Sequence, residues 1–276
     1  MHGSERGKYP PTRPEQEPPL LPLPARPPTP SVASLNRDCG NDGEDELATY
    51  WTFYWAVAAA QLERWLPRRS ARVLDISGGR THSAAQAAAA GHTVLEVVGP
   101  GAAASPVHRS VRRVVADPAS LGFLADGCVD AVIAEDRVLS RQLVTETTIA
   151  EIARVLRPGG RVLLCVDSLT LGMAILAEQK FWAHLSDVPS AEVVLVPWPD
   201  GVITRCFWTD QLREVLSDVG LEVEWIRPRT VLSPSTIEHV LAEDPRALPH
   251  LVSTELSAPV HDDSLGIHLL ASACRT

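Results

Sequence analysis

The sequence predicts an α/β protein whose core is a mostly parallel, doubly wound sheet with helices on both faces. Three observations carry that prediction. Apolar, β-branched runs of strand length recur from residue 72 onward, and stretches of helical spacing fall between them. The runs "VDAVIA" and "RVLLCVD" are apolar at nearly every position, the mark of strands covered on both faces. Between the first run and the first helix after it lies "DISGGRTHS", a small-residue turn of the kind that α/β proteins place beside a ligand.

The elements follow in order. Residues 1–46 are proline-dense ("YPPTRPEQEPPLLPLPARPPTP") and then acidic, and each proline removes a backbone donor and restricts its neighbour. A disordered tail is expected there, with the folded domain over 47–276. "ELATYWTFYWAVAAAQLERWL" is helical and stops at Pro67; its Tyr50, Trp51, Phe53, Tyr54 and Trp55 pack on the sheet or roof a pocket. "RVLDI" is a strand, a helix begins near His82, and "HTVLEVV", "VRRVVA" and "VDAVIAE" supply three more strands. "TTIAEIARVL" is a helix, "RPGG" a turn and "RVLLCVD" a strand. "TDQLREVLSDVG" reads as a helix capped by Thr209 and stopped by Gly220, and "LEVEWI" and "GIHLLASAC" close the sheet. Segments 169–208 and 227–265 remain as caps.

Bulk properties narrow the partners. The chain of 276 residues carries 25 Lys and Arg against 34 Asp and Glu, a formal charge of −9. Binding to a phosphate backbone needs a basic excess, so no nucleic-acid partner is expected. Cysteines at 39, 128, 165, 206 and 274 show no metal-ligand or redox spacing, which fits thiols in a reducing compartment and no metal site. No apolar run approaches the ~18 residues of a membrane helix. A cytoplasmic protein with no membrane partner is expected.

In "VLDISGGRTHSAAQAAAAGHTV", "VVADPASLGFLADGCVDAVIAEDRVL" and "EIARVLRPGGRVLL" the chain resembles the class I S-adenosylmethionine-dependent methyltransferases, of the type 11 kind. The resemblance spans about 72–167 and implies a Rossmann-like, seven-stranded, three-layer sandwich with S-adenosylmethionine as cofactor. It places Asp75, Ser77, Gly78 and Gly79 at the methionine end of the cofactor, and Asp117 on the adenine amino group beside Pro118 and Ala119. Glu135 would lie beneath the cofactor near the substrate. Where the acceptor needs a general base, His82, Asp136 and His184 are the candidates.

Two departures stand out. Ser77 and Thr81 replace the outer glycines of the family's loop, and Val98 falls where the family has an acid for the ribose hydroxyls. A charged hydrogen bond is worth ~1.5–3 kcal/mol, so its loss weakens binding roughly 10- to 150-fold. Glu96 shares the strand face of Val98 and is the alternative ribose ligand. The expected function is methyl transfer to a small molecule, with a non-catalytic binding or regulatory protein of the same fold as the alternative. A nicotinamide-dependent oxidoreductase is disfavoured, because the Gly-x-Gly-x-x-Gly frame reads Ser77-Gly-Gly79-Arg-Thr-His82. The methyl acceptor and the oligomeric state are left open.

Overall fold

A computed structural model describes residues 47–79, 81–100, 109–259 and 266–276; the proline-dense segment 1–46 lies outside the described residues. The chain begins with helix α1 (Ala48–Trp65), followed by β1 (Arg72–Asp75), α2 (Ser83–Ala89), β2 (Thr93–Val98), β3 (Val111–Val115) and β4 (Val129–Ala134). Then come α3 (Thr145–Val155), β5 (Leu156–Ser168), α4 (Leu169–Glu178), α5 (Trp182–Asp187), β6 (Val194–Pro197) and β7 (Ile203–Phe207). The remainder is α6 (Thr209–Asp218), β8 (Leu221–Pro228), α7 (Pro234–Glu243), α8 (Leu248–Ser257) and β9 (His268–Arg275).

Strands β3, β2, β1, β4 and β5 lie side by side in that order, all parallel. Strand β9 runs antiparallel between β5 and β8. The order reverses at the β1–β4 boundary, so the crevice for a ligand opens beyond the ends of those two strands.

The period-two alternation of each strand builds two cores. Leu74, Val132, Val162 and Leu164 point to the face covered by Ile149 and Ile152 of α3 and Leu212 and Leu216 of α6. Their neighbours Val73, Ile133, Leu163 and Cys165 point to the opposite face, under Leu62 and Trp65 of α1 and Ala84 and Ala87 of α2. The expected three layers are therefore present.

Among the described residues nine strands stand where the resemblance implies seven. The two additions, β6 and β7, form a hairpin within 169–208, and β7 joins β5 only through Asp167 and Ser168. The hairpin packs with α4 and the N-terminal half of α1 in a third apolar cluster that holds Tyr50, Phe53, Leu171, Ile175, Val196 and Trp198. Helix α6 starts one residue earlier than expected: Trp208 is its N-cap, its N–H donating to the Gln211 side chain at 3.1 Å. Among the described residues no helix is long and apolar enough to cross a membrane.

"RPGG" proves to be a bulge inside β5 rather than a turn before it. Leu156 pairs with Val129 and Arg161 with Ala131, so residues 157–160 loop out against a single residue of β4. A Cβ on Gly160 would sit 2.8 Å from the Arg157 carbonyl oxygen and 3.1 Å from that of Asp130. Both are backbone atoms in a sheet and cannot swing away. Gly160→Ala should therefore lower unfolding stability by about 1–3 kcal/mol in a denaturant titration; an unchanged midpoint would remove the bulge as a constraint.

Candidate active site at the carboxyl ends of the strands

The turn after β1 is held from below by Asp75. Its carboxylate is buried and accepts hydrogen bonds from the Ser77 N–H at 2.8 Å and from the Ser83 hydroxyl at the start of α2. Burial raises the Asp75 pKa to about 6; the hydrogen bonds from Ser83 and Ser77 oppose the rise, and the nearby charge of Glu96 adds to it. Gly78 and Gly79 both adopt left-handed backbone, φ +84° and +80°, which explains two adjacent glycines. Ser77 has a specific duty where the family has glycine. Its hydroxyl accepts the Glu135 N–H at 2.9 Å, fastening the β1 turn to the end of β4. Thr81 bonds the Ser83 hydroxyl in the same loop.

At the end of β2, Val98 presses on the turn: a Cβ on Gly79 would lie 2.8 Å from Val98 Cγ1. Glu96 faces the same turn from further back, with Oε1 3.7 Å from that Cβ position. Its other oxygen accepts from Arg113 Nε of β3 at 2.7 Å. After β3, Asp117 is exposed and its Oδ1 accepts the Ala119 N–H at 2.9 Å, with Pro118 inside that turn.

The end of β4 carries the densest chemistry. Glu135 is buried, with Oε2 paired to Nη2 of Arg229, which follows β8, while Oε1 has no partner. Arg229 is fully buried and donates through Nη1 to Gln61 of α1 at 2.8 Å; the Gln61 amide donates back to the Arg229 carbonyl at 3.1 Å. Asp136 and Arg137 then turn left-handed, φ 55° and 58°, a conformation costing about 1–2 kcal/mol per non-glycine residue. Arg137 forms a two-pronged pair with buried Asp167 at the end of β5. Behind Asp167 stands His268, whose Nδ1 is 2.9 Å from the Tyr54 hydroxyl. Burial pushes its pKa down to about 3, with the positive charge of Arg137 adding to the depression, so the ring is neutral.

Among the sequence candidates, Ser77, Glu135 and His82 converge. Glu135 and His82, the exposed N-cap of α2, line one cavity of about 70 Å³ with Trp55, Ala58, Leu62 and Thr81. Asp136 sits beside Glu135 and is 3.5 Å from Arg141. His184 is not brought there. It is exposed on α5, its ring 5.7 Å from that of Phe181, and it does not line the cavity. Arg229, Gln61, Asp167 and Arg137 were missed by the sequence reading. The acid ending "CVDS" was a legible signal for Asp167, whereas nothing local marks Arg229.

Residues 64–164 match the family described as a methyltransferase domain. The matched stretch runs from the end of α1 into β5 and so includes the glycine turn and the end of β4. No curated protein matches the sequence. Three solved structures share the fold. One is 1,6-didemethyltoxoflavin-N1-methyltransferase of Burkholderia thailandensis, solved with 1,6-didemethyltoxoflavin and S-adenosylhomocysteine; identity is 20%, with 92% of this chain and 94% of that one covered and a TM-score of 0.50. A second is geranyl diphosphate C-methyltransferase of Streptomyces coelicolor A3(2), solved with Mg2+, geranyl diphosphate and S-adenosyl-L-homocysteine, at 14% identity, 87% coverage of both chains and a TM-score of 0.53. The third is an S-adenosylmethionine-dependent methyltransferase of Mesorhizobium loti, at 16% identity, 79% and 98% coverage and a TM-score of 0.50.

The raised pKa of Asp75 has a signed consequence. The folded protein binds this proton more tightly than the unfolded chain, so the Asp75 contribution to stability is largest below pH ~4 and is lost as pH rises through about 6. Asp75→Asn removes the charge, so its stability relative to wild type should rise between pH 4 and 7, by up to ~3 kcal/mol. Paired denaturant titrations across that range check it, and a difference independent of pH would contradict the assignment.

Proposed function

We propose that the chain transfers a methyl group from S-adenosylmethionine to a small-molecule acceptor. The observation that carries this reading is the convergence at the β1–β4 switch point. There the glycine turn over Asp75, with open space beyond Gly78, adjoins a cavity where buried Glu135 leaves an oxygen unpartnered. An orphaned buried acceptor beside a left-handed glycine turn suits the charged amino-acid end of the cofactor. The ribose end fits less well, because Val98 offers no polar atom and Glu96 is already paired with Arg113.

When bound, the cofactor supplies a sulfonium leaving group, and positioning then accounts for much of the rate. Gly78, Gly79 and Glu135 would hold the amino-acid end, Glu96 the ribose, and Asp117 with Pro118 and Ala119 the adenine. Trp55 of α1 lines the cavity and would shield the bound cofactor from water. His82, which lines the cavity, or Asp136 beside Glu135 would take a proton from an acceptor hydroxyl or amine; His184 would serve only on an acceptor that reaches α5. Segments 169–208 and 227–265 carry α4, α5, β6, β7, α7 and α8 and would select the acceptor. The two neighbours solved with substrate hold small molecules, 1,6-didemethyltoxoflavin and geranyl diphosphate, and the acidic charge of this chain argues the same way.

A second reading is favoured by Val98 alone: a protein of this fold whose cofactor grip is weakened and whose role is binding or regulation. One titration separates the two. Isothermal calorimetry with S-adenosylhomocysteine should give a Kd of about 1 mM or tighter, equivalent to about −4 kcal/mol. No heat and no thermal shift at millimolar ligand would leave only the second reading.

A further inference from the structure

We infer that the cavity at the amino ends of β1 and β4 binds a phosphate group, free or carried by a small organic molecule, through Arg69 and Arg157 with Arg161 alongside. The inference lies outside the methyltransferase reading and does not depend on it. Trp65 at the end of α1, Arg69 before β1, Asp130 of β4, and Arg157, Gly159 and Arg161 of the β5 bulge line a space of about 350 Å³. Pockets that enclose small ligands measure ~300–1,000 Å³. The cavity lies at the end of the sheet opposite the glycine turn, since Arg72 begins β1 and Asp75, beneath the turn, ends it.

Charge is unbalanced there. The chain as a whole carries −9, so acids are in excess over its surface. Yet the guanidiniums of Arg69, Arg72, Arg157 and Arg161 stand at this cavity or just behind its wall with two carboxylates, those of Asp130 and Glu224, paired among them. Both carboxylates are engaged. Asp130 accepts the Arg72 N–H at 2.6 Å and meets Arg157 Nε at 2.8 Å. Glu224 Oε2 accepts from Nε and Nη2 of Arg161 at 2.9 and 2.6 Å.

That leaves donors facing the cavity without an acid. Arg69 is exposed and has no ion pair among the described residues. Arg157 meets Asp130 through Nε, and among the described residues no hydrogen bond engages its two terminal nitrogens. Arg161 adds a cation already fixed in place, 5.5 Å from the ring of Trp65, whose Nε1 donates to the Ser272 hydroxyl at 2.9 Å. Guanidinium forks are the side chains best shaped for phosphate oxygens, and such charged hydrogen bonds are the strong ones. Two forks arriving from separate segments suit a tetrahedral anion, which presents oxygens in several directions, better than a flat carboxylate.

The test uses the full chain, with ribose 5-phosphate and inorganic pyrophosphate as probes, read by calorimetry at low salt and by thermal unfolding. At least one probe should bind with a Kd of about 1 mM or tighter and raise the melting temperature, because a ligand of the folded state stabilises it. Arg69→Glu, at an exposed position, should weaken that binding about tenfold or more. Arg157→Gln should weaken it in the same sense, with Asp130 still held by the Arg72 N–H. Arg213→Glu makes the same change of net charge on α6, which covers the other face of the sheet from Trp65, and should weaken binding less than about twofold. Tighter binding of ribose 5-phosphate assigns the cavity to an organic phosphate, and tighter binding of pyrophosphate to an inorganic one. Binding of neither probe overturns the inference, as does a loss in Arg213→Glu as large as in Arg69→Glu.

Discussion

The buried pair of Arg229 and Glu135 is the interaction on which the active end of this molecule depends. Glu135 ends β4, Arg229 follows β8, and Gln61 of α1 completes the set. Three elements distant in sequence are thereby fixed to one another at the mouth of the crevice. Such a pair is weak evidence for stability, since desolvating both ions consumes most of their attraction. Removing one partner is another matter, because a lone buried charge costs about 3–5 kcal/mol. What the pair gives is geometry: a helix that covers the ligand crevice is registered against the two strand ends beneath it.

The loop after β1 obeys the same logic on a smaller scale. A serine where a nucleotide-binding loop has glycine looks like a loss of fit. In the fold it is a gain of order, because the Ser77 hydroxyl satisfies the Glu135 N–H, a buried donor that a glycine would leave to water or leave unmet. Val98 is different in kind. It fills space against Gly79 and brings no hydrogen-bonding atom, so the substitution has no compensating contact at its own position. One departure from the family pattern is absorbed by a new hydrogen bond, and the other only by packing.

The architecture was legible because it rests on periodicity. Alternating residues such as Val73 and Leu74, or Leu163 and Leu164, belong to opposite cores, and that alternation can be counted in the chain. The β6–β7 hairpin was legible too, though it was not read. "VVLVPWPDGVITRCF" has two apolar runs around an Asp-Gly turn, and the Gly201 φ of +87° with the Trp198 N–H to Val202 carbonyl bond of 2.7 Å is its outcome. Arg229 was not legible by any local rule. Its partner Glu135 lies 94 residues away, and the segment around it carries no periodic signal. The left-handed pair Asp136 and Arg137 is similar: its sequence is ordinary, and only the tertiary bond from Arg137 to Asp167 shows why the strain is tolerated.

These facts divide the crevice into a rigid part and a part that must adapt. The rim formed by the ends of β4 and β5 is rigid, because Arg137 locks Asp167, and the Asp167 N–H is held by the Ser140 hydroxyl at 2.7 Å. The space under α1 is about 70 Å³, well below the ~300 Å³ lower bound of pockets that enclose whole ligands. A nucleoside-bearing ligand that places its charged end there must therefore lay the rest of itself along the open side, past Gly78 towards the exposed Asp117, or lift α1 away from α2. Lifting α1 would break the Gln86 bond to the Ala59 carbonyl, a partly exposed contact worth about 1 kcal/mol. It would also draw Gln61 off Arg229, a buried and charged contact that is dearer to break. Helix α1 is held further by Tyr54 on His268 and by Trp65 on Ser272, each at 2.9 Å, so the open side past Gly78 is the less costly of the two routes.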